Sequence, residues 1–410
     1  MVTQEMHPAN EGAYAAKSQV KVVFIHDTIT YGGLEVYLLR FLRSLDRGLY
    51  QPYVLVPGYT DQYRSSPQQF IDEVNELNVP VLRPNHPGDT KGLSAIHDIV
   101  NIRRLLCDVR ADVVHIHTCR PEGARKATLG AQAARVPLIL RTEHCSPILF
   151  GDPSTNKLLM RVFDRLTDKL FTVSENNRLE QIEIFGRSPT KVTTSYTGIE
   201  PDHFDPEHDV AEAKEELGLS PHTPVVGAVG RLTKVKGFSY LIEAARQVLD
   251  NYGPTNFLLV GGGPLKKQLM QEIEAANIGK YFHLVGYKSN PVPYIKAMDV
   301  TVMPSLSEGF PLSLLEYMAL GKPSVVTDYP TIREAVANDE HCIIVPMRNA
   351  DALAEGIMEL LRNPERAQVM GASLRNRVET NFDFQDHVDE LTNMYLAAAK
   401  KYWVSRNSGG

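Results

Sequence analysis

The sequence predicts an α/β protein of two doubly wound, Rossmann-like domains facing each other across a cleft. Three observations predict it. The chain has 410 residues, more than one hydrophobic core comfortably serves, so two domains of similar size are favoured. Short β-branched runs alternate with helical stretches, the pattern of parallel strands covered by helices on both faces. The alternation halts once, over 201–222, where Pro201, Pro206 and Pro221 stand among Asp, Glu and His residues around a short helical pattern, and then restarts.

In the first half, Val20–His26, Pro52–Val56, Val113–His117, Leu138–Thr142, Leu170–Val173 and Val192–Tyr196 read as strands, continuously apolar as buried parallel strands are. Leu34–Leu45, Leu93–Cys107 and Lys157–Leu166 read as helices between them. In the second half the strands are Val225–Val229, Phe257–Val260, Phe282–Val285, Val300–Met303, Ser324–Val326 and Cys342–Val345. Helices follow at Phe238–Leu249, Leu265–Ala276 and Leu312–Leu320, and helical patterns at Asp351–Leu361, Arg366–Glu379 and Gln385–Tyr402 close the chain. The divisions that result are a disordered N-terminus over 1–19, a first domain over 20–200, a linker over 201–222, a second domain over 223–382, a final helix over 383–403 and a tail over 404–410. In open α/β sheets ligands sit outside the carboxyl ends of the strands, so the cleft between the domains is the expected site.

Composition narrows the function. Hydrophobic residues make up 43% and charged residues 22%, the profile of a soluble globular protein. A net charge of −6 argues against nucleic acid as a partner, because phosphate contacts call for a basic excess or stripe. No apolar run approaches the ~20 residues that cross a bilayer. Cys107, Cys119, Cys145 and Cys342 show no C-x-x-C spacing and are too sparse to staple the chain, which fits a reducing compartment. With no basic start and apolar centre in the first nineteen residues, the expected location is cytoplasmic.

Two stretches carry chemistry. Pro304 to Glu316 (PSLSEGFPLSLLE) follows a strand and opens a helix at Pro311, a residue favoured in the first helical turn. The free amides of Leu312, Ser313 and Leu314, with the helix dipole behind them, make an anion site. Glu308 and Glu316 bracket it with two carboxylates, which suits a ligand carrying hydroxyls on both sides of its phosphates. The bland reading is a helix cap and a solvated side chain. Gly230 to Gly237 (GRLTKVKG) ends the first strand of the second domain with Arg231 and Lys236 between flexible glycines. At a strand's carboxyl end these cations can neutralise a diphosphate, where the alternative is a solvated basic loop. In the first domain, Gly32-Gly33 follows the first strand and opens a helix, letting backbone amides approach a phosphate. His117 and His144 end two further strands.

These motifs, in this order and spacing, resemble the retaining glycosyltransferases of the GT-B fold, family 4 type (glycosyl transferases group 1), over nearly the whole chain from Val20 to about Tyr402. The resemblance implies that Arg231 and Lys236 hold the donor diphosphate, Glu316 accepts from ribose hydroxyls, and Glu308 contacts the transferred sugar. It adds backbone amides at Gly309, Phe310, Pro311 and Leu312 to that grip, as a segment, and places Gly33 near the donor phosphate. His144 resembles the family histidine that reaches the donor sugar, and Gly32 and His117 are acceptor-side candidates. The Gly261-Gly262-Gly263-Pro264 turn resembles one near the donor pocket, although glycine there equally serves tight packing. The final helix resembles one that crosses back to the first domain, with Val388, Leu391, Met394, Tyr395 and Ala398 at helical spacing.

Tyr196-Thr197-Gly198-Ile199-Glu200 departs from the family's Asn-Gly-hydrophobic-Asp, so Thr197 and Glu200 are not placed in the site. Ser174-Glu175-Asn176 reads as a capped helix start. No Asp-x-Asp triplet is present, so no metal is expected and no cofactor either. The nucleoside-diphosphate sugar, UDP-linked hexose first and GDP-mannose second, is a co-substrate. The implied partner is a saccharide, lipid-linked or small-molecule acceptor, in polysaccharide or glycoconjugate synthesis. Residues 101–144 hold eight Lys and Arg against four Asp and Glu, which fits a lipid-linked acceptor and peripheral contact at the inner face of a membrane, and fits equally an ordinary helix surface. Oligomeric state stays open. Competing classes are a nucleotide-sugar epimerase or hydrolase on the same fold, a sugar-binding module, and a nicotinamide oxidoreductase, which the missing G-x-G-x-x-G over 20–34 disfavours.

Overall fold

A computed structural model of the chain describes residues 19–26, 32–56, 65–83, 94–119, 124–145, 157–338 and 340–407. Of the disordered N-terminus expected over 1–19, residues 1–18 lie outside these, as do the start of the predicted helix at Leu93 and the end of the tail. Two parallel sheets organise the chain. The first holds β1 (Val20–His26), β2 (Tyr50–Leu55), β3 (Val81–Leu82), β4 (Val113–Thr118), β5 (Leu138–Glu143), β6 (Lys169–Thr172) and β7 (Val192–Thr194), in the order β3-β2-β1-β4-β5-β6-β7. The second holds β8 (Val225–Val229), β9 (Asn256–Val260), β10 (Phe282–Gly286), β11 (Val300–Met303), β12 (Ser324–Thr327) and β13 (Ile343–Val345), ordered β10-β9-β8-β11-β12-β13. Each order reverses beside its first strand, at β1/β4 and at β8/β11, which is where a crevice opens in a doubly wound sheet.

Most predicted strands fall within two residues of these bounds because buried parallel strands are apolar on both faces. Val113–Thr118 and Leu138–Glu143 are buried at every position. The two-residue β3 and the helices Ser65–Glu76 and Ala124–Ala133 are absent from the sequence reading, which has only the capped start of the helix Glu175–Glu183. The last has the sequence ENNRLEQIE, polar along most of its length, and no apolar stripe marks it.

The final helix, Phe384–Asn407, packs on the first sheet rather than the second. Phe384, Val388, Leu391, Tyr395 and Ala399 are buried in one cluster with Val20, Phe24, Tyr37 and Phe41, while Met394 and Ala398 flank it. Polar anchors hold the same face: Tyr395 Oη lies 2.5 Å from His115 Nδ1, His387 joins Tyr37 Oη and Ser195 Oγ at 2.8 Å each, and Trp403 Nε1 donates to Asp112. The chain passes between the two sheets at adjacent points. Ile199 N donates to Phe382 O and Phe384 N donates to Ile199 O, and Gly198, at φ 51°, leaves no room for a side chain against the Asp383 carbonyl. Among the described residues no helix is long and apolar enough to cross a membrane.

Because the final helix completes the first core, Leu391→Ala should cost about 2–5 kcal/mol in a urea titration. Ending the chain after Asp383 should yield insoluble or strongly destabilised protein, and a soluble, fully active truncation would contradict the packing argument.

Candidate functional site

The first sheet supplies three strand ends to the cleft. After β1, Gly32 is the cap of the helix Gly33–Ser44, and its amide donates to Glu35 Oε2 at 2.7 Å. Glu35 Oε1 lies 2.7 Å from His26 Nε2, and both residues are buried. The Gly32 amide, expected to face a phosphate, is thus committed to a carboxylate inside the protein. What glycine provides at 32 is space, since a Cβ there would lie 3.0 Å from the Arg231 side chain of the second domain. Gly33 faces Leu312, with an ordinary contact at 3.5 Å.

After β4 and β5, His117 Nδ1 and His144 Nε2 lie 3.0 Å apart. His117 is 0 % exposed, so it does not line the cleft as an acceptor-side residue. It stands behind His144, which is half-buried. Burial lowers both imidazoles well below the usual histidine pKa, with neighbouring histidines adding to the effect. Beneath them a buried ionic cluster secures the end of β5, in which Glu143 Oε1 meets Arg141 and Arg187, each at 2.9 Å. Burial would raise the Glu143 carboxyl, but the two guanidiniums outweigh it and hold it below the ordinary range.

The second sheet supplies two loops that are stitched together. Lys234–Lys236 forms one turn of 3-10 helix ending in Gly237, at φ 65°, where a Cβ would fall 2.0 Å from the Pro304 carbonyl oxygen. Leu306 N donates to Val235 O across the same seam. Lys236 Nζ then reaches Glu308 Oε1 at 2.7 Å, and Ser305 Oγ donates to the same oxygen at 2.5 Å. The two residues expected to grip diphosphate and sugar separately neutralise each other here. Arg231 is exposed and lies against the Gly32 loop. Gly261 and Gly263 let the next loop close on the backbone of Gly230 and Leu232, so that turn serves packing.

The helix expected to open at Pro311 begins at Leu312, with Pro311 in the cap at ψ 80°. The Leu312 amide donates to Phe310 O and the Leu314 amide to Pro311 O, a turn that the proline's missing N–H does not reveal. Of the three amides expected to be free, only that of Ser313 has no acceptor among the described residues. Phe310 turns inward against Tyr196 and Phe382, with ring centroids 5.1 and 5.3 Å away. Glu316 is largely buried, and burial raises its carboxyl despite Arg40 of the first domain, 4.0 Å away.

Side chains and backbone from both halves meet at this site. Gly309 lies so close to His144 that a Cβ would fall 1.9 Å from the His144 carbonyl oxygen, and Asn177 Nδ2 donates to Gly309 O at 3.2 Å. Glu334 of the second half accepts from the amides of Glu175 and Asn176 at 2.8 and 2.6 Å and from Tyr196 Oη at 3.1 Å. Ser174 caps the same helix through Asn177 N, as expected. Sequence reasoning missed Glu35, Arg40, Asn177 and Glu334. Only Glu35, three residues after the capping Gly32, has a local signature. Glu200 lies near Arg40, Ser44 and His203, and the Thr197 hydroxyl is buried without a partner among the described residues.

Two doubly wound domains with cations and carboxylates on facing loops define a GT-B architecture. The family comparisons identify it further: the glycosyl transferases group 1 model matches residues 209–377 and the glycosyltransferase family 4 model matches 31–203. The chain belongs to this family, and it is a glycosyltransferase. It is 26% identical over 384 residues to the Escherichia coli UDP-Gal:alpha-D-GlcNAc-diphosphoundecaprenol alpha-1,3-galactosyltransferase, covering 88% of this chain and 95% of that one. It is 28% identical over 378 residues to the Streptomyces fradiae 2-deoxystreptamine N-acetyl-D-glucosaminyltransferase, covering 84% and 87%. The Anabaena protein HepE, solved with UDP-glucose, superposes with a TM-score of 0.78 at 18% identity over 92% of this chain and 100% of that one, a likeness of fold.

Gly309→Ala should force the two backbones apart and cost about 1–3 kcal/mol, read as a fall in melting temperature, whereas Gly33→Ala, with its ordinary contact, should leave stability nearly unchanged. Equal behaviour of the two variants would count against the close approach.

Proposed function

We propose that the protein is a retaining, metal-independent hexosyltransferase that moves a sugar from a nucleoside-diphosphate sugar, UDP-linked in the first instance, to a hydroxyl of a saccharide or lipid-linked acceptor. The observation that carries this reading is the Lys236–Glu308 pair at 2.7 Å, with Arg231 against the Gly32 loop and Gly309 against His144. The pair is mostly buried, which makes its charges costly to leave unmatched. A diphosphate entering beside Arg231 and Lys236 replaces one anion with another and releases Glu308 to sugar hydroxyls. Glu316, raised by burial, is suited to a neutral partner such as a ribose hydroxyl.

As the bond from the sugar C1 to the diphosphate breaks, negative charge grows on the leaving oxygen. Fixed cations then stabilise the transition state more than the ground state, which is catalysis by differential binding. The departing phosphate oxygen takes the acceptor's proton in a front-face attack, so no protein nucleophile is needed and no cofactor enters the scheme. The name of the E. coli relative includes a UDP-sugar and a diphosphoundecaprenol-linked acceptor, which supports a UDP-linked donor and a lipid-linked acceptor.

A thermal-shift screen across UDP-, GDP- and ADP-sugars tests the donor, and NMR of the product's anomeric proton tests retention. Turnover of the donor without an acceptor would instead identify an epimerase or hydrolase. Lys236→Ala should lower turnover by about 10²–10³, as loss of one preorganised charge donor does, and near-normal transfer would remove the cradle.

Glu316→Gln should separate stability from function. A carboxyl raised in the folded state binds its proton more tightly there than in the unfolded chain, so its ionisation weakens folding as pH rises through the folded pKa. The variant should therefore gain melting temperature at pH 7 to 8, show no gain well below the unfolded value of about 4.3, and bind the donor more weakly.

A further inference from the structure

The hydrogen bond between His117 and His144 has a direction, and its surroundings set it. Burial favours the neutral form of both rings, in which one nitrogen donates and the other accepts across the 3.0 Å between His117 Nδ1 and His144 Nε2. The remaining nitrogen of His117, Nε2, is buried without a hydrogen-bond partner among the described residues. Its ring lies among Phe24, Tyr37 and His115, with centroids 6.0, 5.6 and 4.2 Å away. If the His117 proton sat on Nε2, a buried N–H would go unmade, the rarer and more costly defect; a bare lone pair there costs less. The proton therefore belongs on Nδ1, from which it donates to His144 Nε2.

This dictates the state of His144. With Nε2 accepting, the neutral ring carries its proton on Nδ1, and Nδ1 has no acceptor among the described residues. The half-buried ring sits where the His144 carbonyl meets Gly309 at the cleft.

We propose that His117 is a positioning residue: by donating from Nδ1 it fixes His144 in the Nδ1–H tautomer, so that His144 meets a sugar oxygen as a hydrogen-bond donor and is not available as a base. The sugar contact rests on the function proposed above, whereas the tautomer does not. A His144 whose one lone pair is occupied cannot take the acceptor's proton, which leaves that proton to the departing phosphate oxygen.

The tautomer is readable without ligand. In protein labelled with 15N in its histidine rings, long-range proton–nitrogen correlations, with His144 assigned through His144→Gln, should show Nδ1 protonated and Nε2 unprotonated. His117→Phe should move the His144 nitrogens toward the opposite pattern and lower kcat/KM roughly tenfold, as loss of one hydrogen bond does. His117→Asn keeps an amide donor near the place of Nδ1 and should restore both readouts, which a purely space-filling role would not require. Wild-type His144 protonated on Nε2 overturns the proposal, as does a folded His117→Phe protein with unchanged His144 shifts. If the Phe variant does not fold, the wild-type pattern and the Asn variant decide. Failure of every nucleoside-diphosphate sugar to bind, with the tautomer as stated, removes the ligand reading and leaves the hydrogen bond's direction standing.

Discussion

The site depends on a close approach of backbone to backbone across the cleft. Gly309 meets the His144 carbonyl across the cleft where no side chain fits, Gly237 meets the Pro304 carbonyl within the second domain in the same way, and Gly32 yields its volume to Arg231 of the second domain. Each approach removes a side chain so that a charged group can be held at a set distance from the opposite strand end. Lys236, Glu308 and Arg231 take their positions from these contacts. Precision of this kind comes from rigid elements, here the carboxyl ends of β1, β4, β5, β8 and β11, and the polar groups need only short reaches from them.

Charge in the site is balanced before any ligand arrives. Lys236 and Glu308 neutralise each other, Arg40 lies between Glu200 and Glu316, and Glu334 is satisfied by a helix N-terminus of the first half. Such pairs contribute little net stability, because desolvation offsets most of their attraction. Their effect is instead on geometry: each carboxylate is held in place by a cation or N–H donor on another loop or element. The Arg141–Glu143–Arg187 cluster differs, being buried beneath the site with Glu143 between two guanidiniums, and it holds the end of β5 that carries His144.

Much of this was legible in the chain. Arg231, Lys236, Glu308, Glu316 and His144 follow apolar strands or begin helices, and apolar runs are read by eye because burial on both faces demands them. The apolar stripe of the last helix showed that it packs, although Ala399 rather than Ala398 faces the core. His117 was legible only as a strand end. Whether a strand-end side chain faces the cleft or the layer behind depends on pleat and twist, and Tyr37, Phe24 and the final helix close over it. The Gly32 amide was misread because the acceptor, Glu35, competes for the same N–H. Pro311 was placed one position too far inside its helix, since the carbonyl of Phe310 captures the next amide.

Sequence alone determined the fold class, the order of the strands' chemistry and the residue types at the cleft, because periodicity, turns and short motifs are properties of neighbours along the chain. Tertiary structure alone decided which of those groups meet. The Lys236–Glu308 pair spans two loops, Glu334 reaches a helix from the other half, and the His117–His144 bond joins two strands; each is separated along the chain by an interval that no local pattern encodes. A hydrogen bond or an ion pair is set by distance in space, and only packing converts sequence separation into that distance.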